Sequence, residues 1–83
     1  MSQLTWESIE QQIENCRRCE LCKQRHNIVL GEGNRSADIM LIGEGPGADE
    51  DAQGRPFVGK AGQLLDKMFS AIDITREELY ITN

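Results

Sequence analysis

An α/β fold with parallel strands is what this chain predicts, on three observations. A four-residue apolar run, Ile39-Met40-Leu41-Ile42, is followed by a helical apolar stripe and then by a second strand pattern, Leu79-Tyr80-Ile81-Thr82. The stripe is formed by Ala61, Leu64, Leu65, Met68, Phe69 and Ile72, spaced three or four apart so that they share one helix face. Strand, loop, helix and strand in that order make a βαβ unit, whose strands run parallel with a right-handed crossover.

The first strand, bounded by Asp38 and Gly43, reads as buried on both faces because its apolar residues do not alternate. Ahead of it, Thr5 caps a first helix, with Glu7 and Glu10 in its opening turns and Trp6, Ile9, Ile13 and Cys16 along one face. Ile28-Val29-Leu30 has the composition of a short strand, and Gly31-Glu32-Gly33-Asn34 that of a turn. Residues 43–51, Gly-Glu-Gly-Pro-Gly-Ala-Asp-Glu-Asp, form a loop at the carboxyl end of the first strand, the place where open α/β sheets bind ligands. A second loop is punctuated by Gly54, Pro56 and Gly59, and no helical pattern opens before about Gly59. Thr75 followed by Glu78 is a capping-box pattern, and Asn83 lies at the carboxyl tip of the second strand.

At 83 residues the chain is at most one domain. A chain of this size buries only about 60–65% of its unfolded surface. Two or three strands do not make a stable sheet of this class, so the expectation is the N-terminal part of a longer α/β domain. The net charge is −5, but residues 16–35 carry five basic side chains (Arg17, Arg18, Lys23, Arg25, Arg35) against Glu20 and Glu32. That local excess suits a polyanion, while the acidic remainder argues against a general nucleic-acid or membrane binder. No signal-peptide pattern opens the sequence, and no apolar run approaches the roughly 20 residues of a membrane span. The expected setting is the cytoplasm, with reduced thiols.

Chemistry concentrates in four places. Cys16-x-x-Cys19 has the spacing with which two thiolates grip one metal centre, and Cys19-x-x-Cys22 repeats it; the alternatives are half of a zinc ribbon and a thioredoxin-like redox pair, although the redox motif belongs after a strand. Glu44 and Glu50 are candidates for handling a water or a proton. Phe57 is either a core plug or a stacking platform for a ring. Asn83 can present its amide to a ligand edge, or serve as a plain turn residue. Gly43-x-Gly45-x-x-Ala48 imitates a dinucleotide fingerprint, but Pro46 and Asp49-Glu50-Asp51 set negative charge where a pyrophosphate would lie.

Taken together, these residues resemble the family 4 uracil-DNA glycosylases, iron–sulfur enzymes of base excision repair related to a phage DNA polymerase-like domain. The resemblance rests on Cys16-x-x-Cys19, Val29-x-Gly31-Glu32-Gly33-Asn34, Gly43-Glu44-Gly45-Pro46-Gly47 with Glu50-Asp51, the segment from Gly54-Arg55-Pro56-Phe57-Val58-Gly59 through Leu65, and Tyr80-Ile81-Thr82-Asn83. It implies a three-layer α/β/α fold with a parallel sheet, of which this chain is the N-terminal portion, and an enzyme that hydrolyses the N-glycosidic bond of uracil in DNA.

It also implies that Cys16 and Cys19 supply two of the four thiolates of a [4Fe–4S] cluster, with Cys22 not a ligand. The remaining two cysteines and a histidine motif would lie past residue 83, so the 83 residues alone are expected to be inactive. Phe57 would stack on the flipped uracil, and Asn83 would read its Watson–Crick edge. Glu44, Gly45, Gly47 and Asp51 would line the pocket. A carboxylate, with Glu50 favoured, would orient the attacking water or stabilise the oxocarbenium-like sugar. The best-known uracil glycosylases carry an aspartate where this chain has Gly45. Lys60 and the basic segment are the expected phosphate contacts. The alternatives carried forward are a non-catalytic iron–sulfur or metal module of the same fold, and a nucleotide-binding domain.

Overall fold

The computed structural model describes residues 4–83 and is organised around strand β3, Tyr80–Thr82. Leu79, Tyr80 and Ile81 are 2%, 4% and 0% exposed and form the buried hydrophobic core of the described residues. They are buried because β3 is the middle strand of three. Strand β2, Met40–Ile42, pairs with it in parallel, and β1, Glu32–Gly33, pairs with it antiparallel. Each fully buried aliphatic side chain stabilises the fold by about 1.5–3 kcal/mol.

The parallel β2–β3 pairing is the one the βαβ order demands. The third strand differs from the sequence expectation: residues 28–30 pair with no strand, and the glycine turn itself supplies β1. Gly33 explains this. It sits at φ 114°, and a Cβ there would lie 1.9 Å from the Leu79 carbonyl oxygen, so only glycine lets the backbone lie this close to β3. Ile28, Val29 and Leu30 are half-buried instead, and the Leu30 carbonyl accepts the Thr82 hydroxyl at 2.7 Å.

Helix α1, Trp6–Ile13, starts as expected: the Thr5 hydroxyl accepts the Ser8 N–H, and the Ser8 hydroxyl accepts that of Thr5, each at 3.0 Å. Its Trp6 ring packs on Tyr80 with centroids 4.8 Å apart, joining the helix to the central strand. Arg35 lies over the Trp6 ring and pairs with Glu10, so this arginine is engaged within the protein.

A helix absent from the sequence reading, α2, spans Ala48–Gln53 within the acidic stretch expected to be loop. Asp49, Glu50 and Asp51 occupy its first turn, where carboxylates meet the positive end of the helix dipole. Gly54, left-handed at φ 71°, closes it. Helix α3, Lys60–Ser70, ends two residues before Ile72, which lies on a turn closed by Asp73 at φ 59°.

The expected burial of both strand faces and of the whole helical stripe is not found. Ile39, Met40 and Ile42 are 44%, 49% and 70% exposed, and Leu64, Met68 and Ile72 are 59%, 61% and 63% exposed. Strand β2 is an edge strand, and α3 seats only Leu65 and Phe69 partway into the core. Among the described residues no helix is long and apolar enough to cross a membrane.

Candidate active site

The register Ile42↔Thr82 brings the carboxyl ends of β2 and β3 side by side. Gly43 continues the pairing by donating its N–H to the Thr82 carbonyl at 2.9 Å. The next residue on each strand end therefore faces a shared cavity of about 140 Å³, lined by Gly43, Glu44, Gly45, Glu50, Phe57, Ala61, Gly62 and Asn83. Two sequence-distant groups converge here on Gly43. A Cβ at that position would lie 2.7 Å from Asn83 Oδ1 and 2.8 Å from Phe57 Cζ. Glycine is what allows the ring and the amide to close on the same point.

The amide of Asn83 is incompletely satisfied, its Nδ2 being buried without a hydrogen-bond partner. Leaving a buried donor unpaired costs about 1–3 kcal/mol, which a ligand acceptor would recover. Gly45 differs from Gly43, since a Cβ built on it meets nothing within 4 Å. Its missing side chain keeps space open rather than permitting a protein contact.

Phe57 is held in the left-handed region at φ 51°, a conformation that costs a non-glycine residue roughly 1–2 kcal/mol. The turn that carries it is gripped from both sides. Glu50 Oε2 accepts the N–H groups of Val58 and Gly59 at 2.8 and 2.6 Å, and its Oε1 accepts that of Gly47 at 3.0 Å. The Gly59 bond, then that of Val58, holds the Glu50 carboxyl below its usual range against the opposing pull of burial. On the other side, Arg76 donates to the carbonyls of Pro56 and Phe57 at 2.8 and 2.9 Å. Gly62 lets α3 press against the same peptide, because a Cβ there would lie 1.9 Å from the Phe57 oxygen. Glu44, by contrast, is exposed on the cavity rim.

Gly47 and Asp51, expected beside the ligand, lie on the opposite side of α2. They line a second, largely apolar cleft of about 530 Å³ with Cys16, Cys19, Leu21, Ile28 and Pro46. Asp51 is fully engaged there. Its Oδ1 accepts the backbone N–H groups of His26 and Asn27 at 2.7 and 3.1 Å, and its Oδ2 meets His26 Nδ1 at 2.7 Å. These contacts, the His26 ring first, hold its carboxyl at about 2. The Asn27 amide returns to the Asp51 and Ala52 carbonyls, so α2 is stapled to the segment that follows the cysteines.

Cys22 lines neither cavity. It faces a third cleft with Glu14, Arg17, Arg25 and His26, where acids and bases are mixed. All three cysteines are free thiols, and among the described residues no group of three or more metal-binding side chains is assembled. Two thiolates on an apolar cleft nevertheless suit a soft iron–sulfur centre that takes its other ligands elsewhere.

The residues that sequence reasoning missed are Arg76, Gly62, Glu32, Arg55 and Asp66. Arg76 looks like an ordinary member of a capped turn, and its partners lie 10 to 44 positions away. Gly62 interrupts an amphipathic helix, and that was the one local signal of a close backbone approach.

The paired strands of this α/β scaffold thus carry a ring, an amide and a carboxylate rim at their carboxyl ends, the edge at which open α/β sheets bind ligands. The family model described as the uracil DNA glycosylase superfamily matches residues 30–83. The chain is 49% identical over 77 residues to a type-4 uracil-DNA glycosylase of Archaeoglobus fulgidus, covering 93% of this chain and 39% of that protein. Type-4 uracil-DNA glycosylases of Saccharolobus solfataricus (49% over 76 residues, 90% of this chain and 35% of the relative) and Thermotoga maritima (46% over 77 residues, 93% and 40%) are similar to it as well. This chain belongs to the uracil DNA glycosylase superfamily, and it spans about two fifths of the length of the curated relatives it matches.

Proposed function

We propose that these residues form the base-recognition half of an enzyme that excises uracil from DNA by hydrolysing its N-glycosidic bond. The observation that carries the proposal is the unpaired, buried Asn83 amide nitrogen in a cavity shared with the Phe57 ring. A uracil stacked on Phe57 offers O4 to that nitrogen and N3–H to Oδ1. Cytosine presents the reverse pattern and would leave buried polar groups unpaired. The base reaches the cavity by leaving the DNA stack, and the open space at Gly45 is where it or its sugar is accommodated.

The two carboxylates divide the chemistry. Glu50, saturated by backbone N–H groups and held ionised, is a fixed negative charge at the rim that favours the oxocarbenium-like sugar. Glu44 orients the attacking water, a role supported by its exposure on the rim. Gly47 and Asp51 serve the site from behind, by fixing α2.

Cys16 and Cys19 are the residues that would hold a [4Fe–4S] cluster, which would supply a rigid, thiolate-bound brace rather than a step of the hydrolysis. The 83 residues are the N-terminal portion of a single domain, a reading supported by the uncovered apolar face of β2 and α3 and by the greater length of the relatives. Free thiols accord with a cytoplasmic setting. Lys60, exposed at the start of α3, and Arg17 and Arg25 are the phosphate contacts proposed for DNA.

The test is excision by the natural full-length protein. It is expected to release uracil from a uracil-containing oligonucleotide and to leave the cytosine- and thymine-containing versions intact. Glu44→Gln is expected to lower the single-turnover rate by about 10²–10⁴-fold, the usual contribution of a positioned acid–base group. A cluster-containing protein with no excision would favour the non-catalytic module, and tight ATP or NAD binding the nucleotide-binding alternative.

A further inference from the structure

We infer that Arg76 is a positioning residue for uracil excision, acting through Phe57 and not through DNA. The inference rests on the reading of Phe57 as the ring platform. Its structural basis is a guanidinium spent on the backbone. Nη1 donates to the Phe57 carbonyl at 2.9 Å and to Asp66 Oδ1 at 3.0 Å, and Nη2 donates to the Pro56 carbonyl at 2.8 Å and to Glu32 Oε2 at 3.3 Å. Nε is buried. The side chain is 19% exposed, so no donor is left facing outward for a phosphate.

The grip matters because Phe57 has no local reason to adopt its conformation. A bulky aromatic residue at φ 51° relaxes toward negative φ unless its flanking peptides are held. Arg76 holds two consecutive carbonyls of that turn in one planar fork, a geometry that lysine cannot copy. The fork is aimed in turn by Asp66 on α3 and by Glu32 on β1. Glu32 is itself clamped by Arg55, whose Nε and Nη2 each donate to it at 2.8 Å. Arg76 lies four residues ahead of Tyr80, the first residue of the strand that leads to Asn83. One side chain therefore fixes the ring relative to the strand that carries the amide.

A double-mutant cycle in the natural full-length protein tests this. Single-turnover uracil excision is measured for Arg76→Ala, Phe57→Ala and the double variant, with melting temperature recorded alongside. Arg76→Ala is expected to slow excision about 10–100-fold, the penalty of a reacting geometry lost by about an ångström. In the Phe57→Ala background the same change is expected to cost no more than about threefold, because coupled residues are non-additive. Full additivity would overturn the inference.

So would a flatter dependence of DNA affinity on salt in Arg76→Ala, which would mark a lost phosphate contact. Arg76→Lys, which keeps the charge and loses the fork, covers the case in which the alanine variant fails to fold. With 4-fluorophenylalanine at position 57, Arg76→Lys is expected to shift and broaden the ¹⁹F resonance, and an unchanged resonance would also refute the clamp. Unimpaired excision by Phe57→Ala would instead bring down the platform reading, while the ¹⁹F measurement still decides the clamp.

Discussion

Adding one methyl group at Gly43 or at Gly45 should slow excision by two different routes, a clash with protein at the first and a loss of open space at the second. At Gly43 the new Cβ would stand 2.8 Å from Phe57 Cζ and 2.7 Å from Asn83 Oδ1, about 0.6–0.7 Å inside an ordinary 3.4 Å contact on both sides. Both neighbours must move to admit it. The ring is held through its backbone by Arg76 and Glu50, and the amide hangs from the central strand. Overpacking of this kind costs about 1–3 kcal/mol. Because the displaced groups are those proposed to hold the base, most of the cost should fall on excision, a loss of about 10–100-fold at 1.4 kcal/mol per decade.

At Gly45 the methyl group meets nothing within 4 Å, so the melting temperature should not change. Excision should still fall, since the space the methyl takes is proposed to belong to the substrate. Single-turnover excision and thermal melts of the full-length variants read both effects. A Gly43→Ala protein that excises uracil at the wild-type rate would refute the shared contact of ring and amide. A Gly45→Ala protein with a lowered melting temperature and normal excision would refute the open-space reading.

Three further outcomes are expected. Asp51 is held at about 2 against an ordinary 3.8 by His26 and the backbone of Asn27. A depressed carboxylate stabilises the fold above its unfolded pKa and loses that contribution as pH falls through its folded one, so the stability gap between wild type and Asp51→Asn should be full above about pH 4 and close toward pH 2 in urea melts. Gly33→Ala should cost more than about 3 kcal/mol, since it combines a φ of 114° with a 1.9 Å overlap on the Leu79 carbonyl, and loss of soluble folded protein would report it. The 83 residues expressed alone should give no abasic sites on uracil-containing DNA, because the apolar faces of β2 and α3 stay open and only Cys16 and Cys19 line the thiolate cleft; turnover by that piece would contradict the division of the site.

Much of the scaffold is legible in local pattern. Thr5 with the face Trp6, Ile9 and Ile13 gives α1, and the apolar stripe gives α3. The order of elements fixes β2 parallel to β3. What local pattern misreads is informative. The acidic run became α2 because its carboxylates lie in a first helical turn, a position that composition alone reads as loop. β1 formed at Glu32–Gly33 instead of at Ile28-Val29-Leu30 because close approach to β3 at Gly33, not side-chain propensity, decided the pairing. Among the site residues, Phe57, Asn83, Glu44 and Gly45 do share a cavity. Gly47, the N-cap of α2, and Asp51, within it, turn away because α2 presents Glu50 to one cleft and Asp51 to the other.

The order of the motifs by itself determined the α/β class, the strand ends at which the candidate site lies, and the residue types gathered there. Those are properties of short stretches, set by periodicity, by glycine and by the chemistry of each side chain. Only the tertiary structure decided which carboxylate is bound up by backbone N–H groups, which glycine is filled by neighbours and which stands empty, and that Arg76 grips the turn beneath Phe57. Those outcomes depend on groups up to 44 residues apart meeting within hydrogen-bond distance, and no local pattern encodes such a meeting.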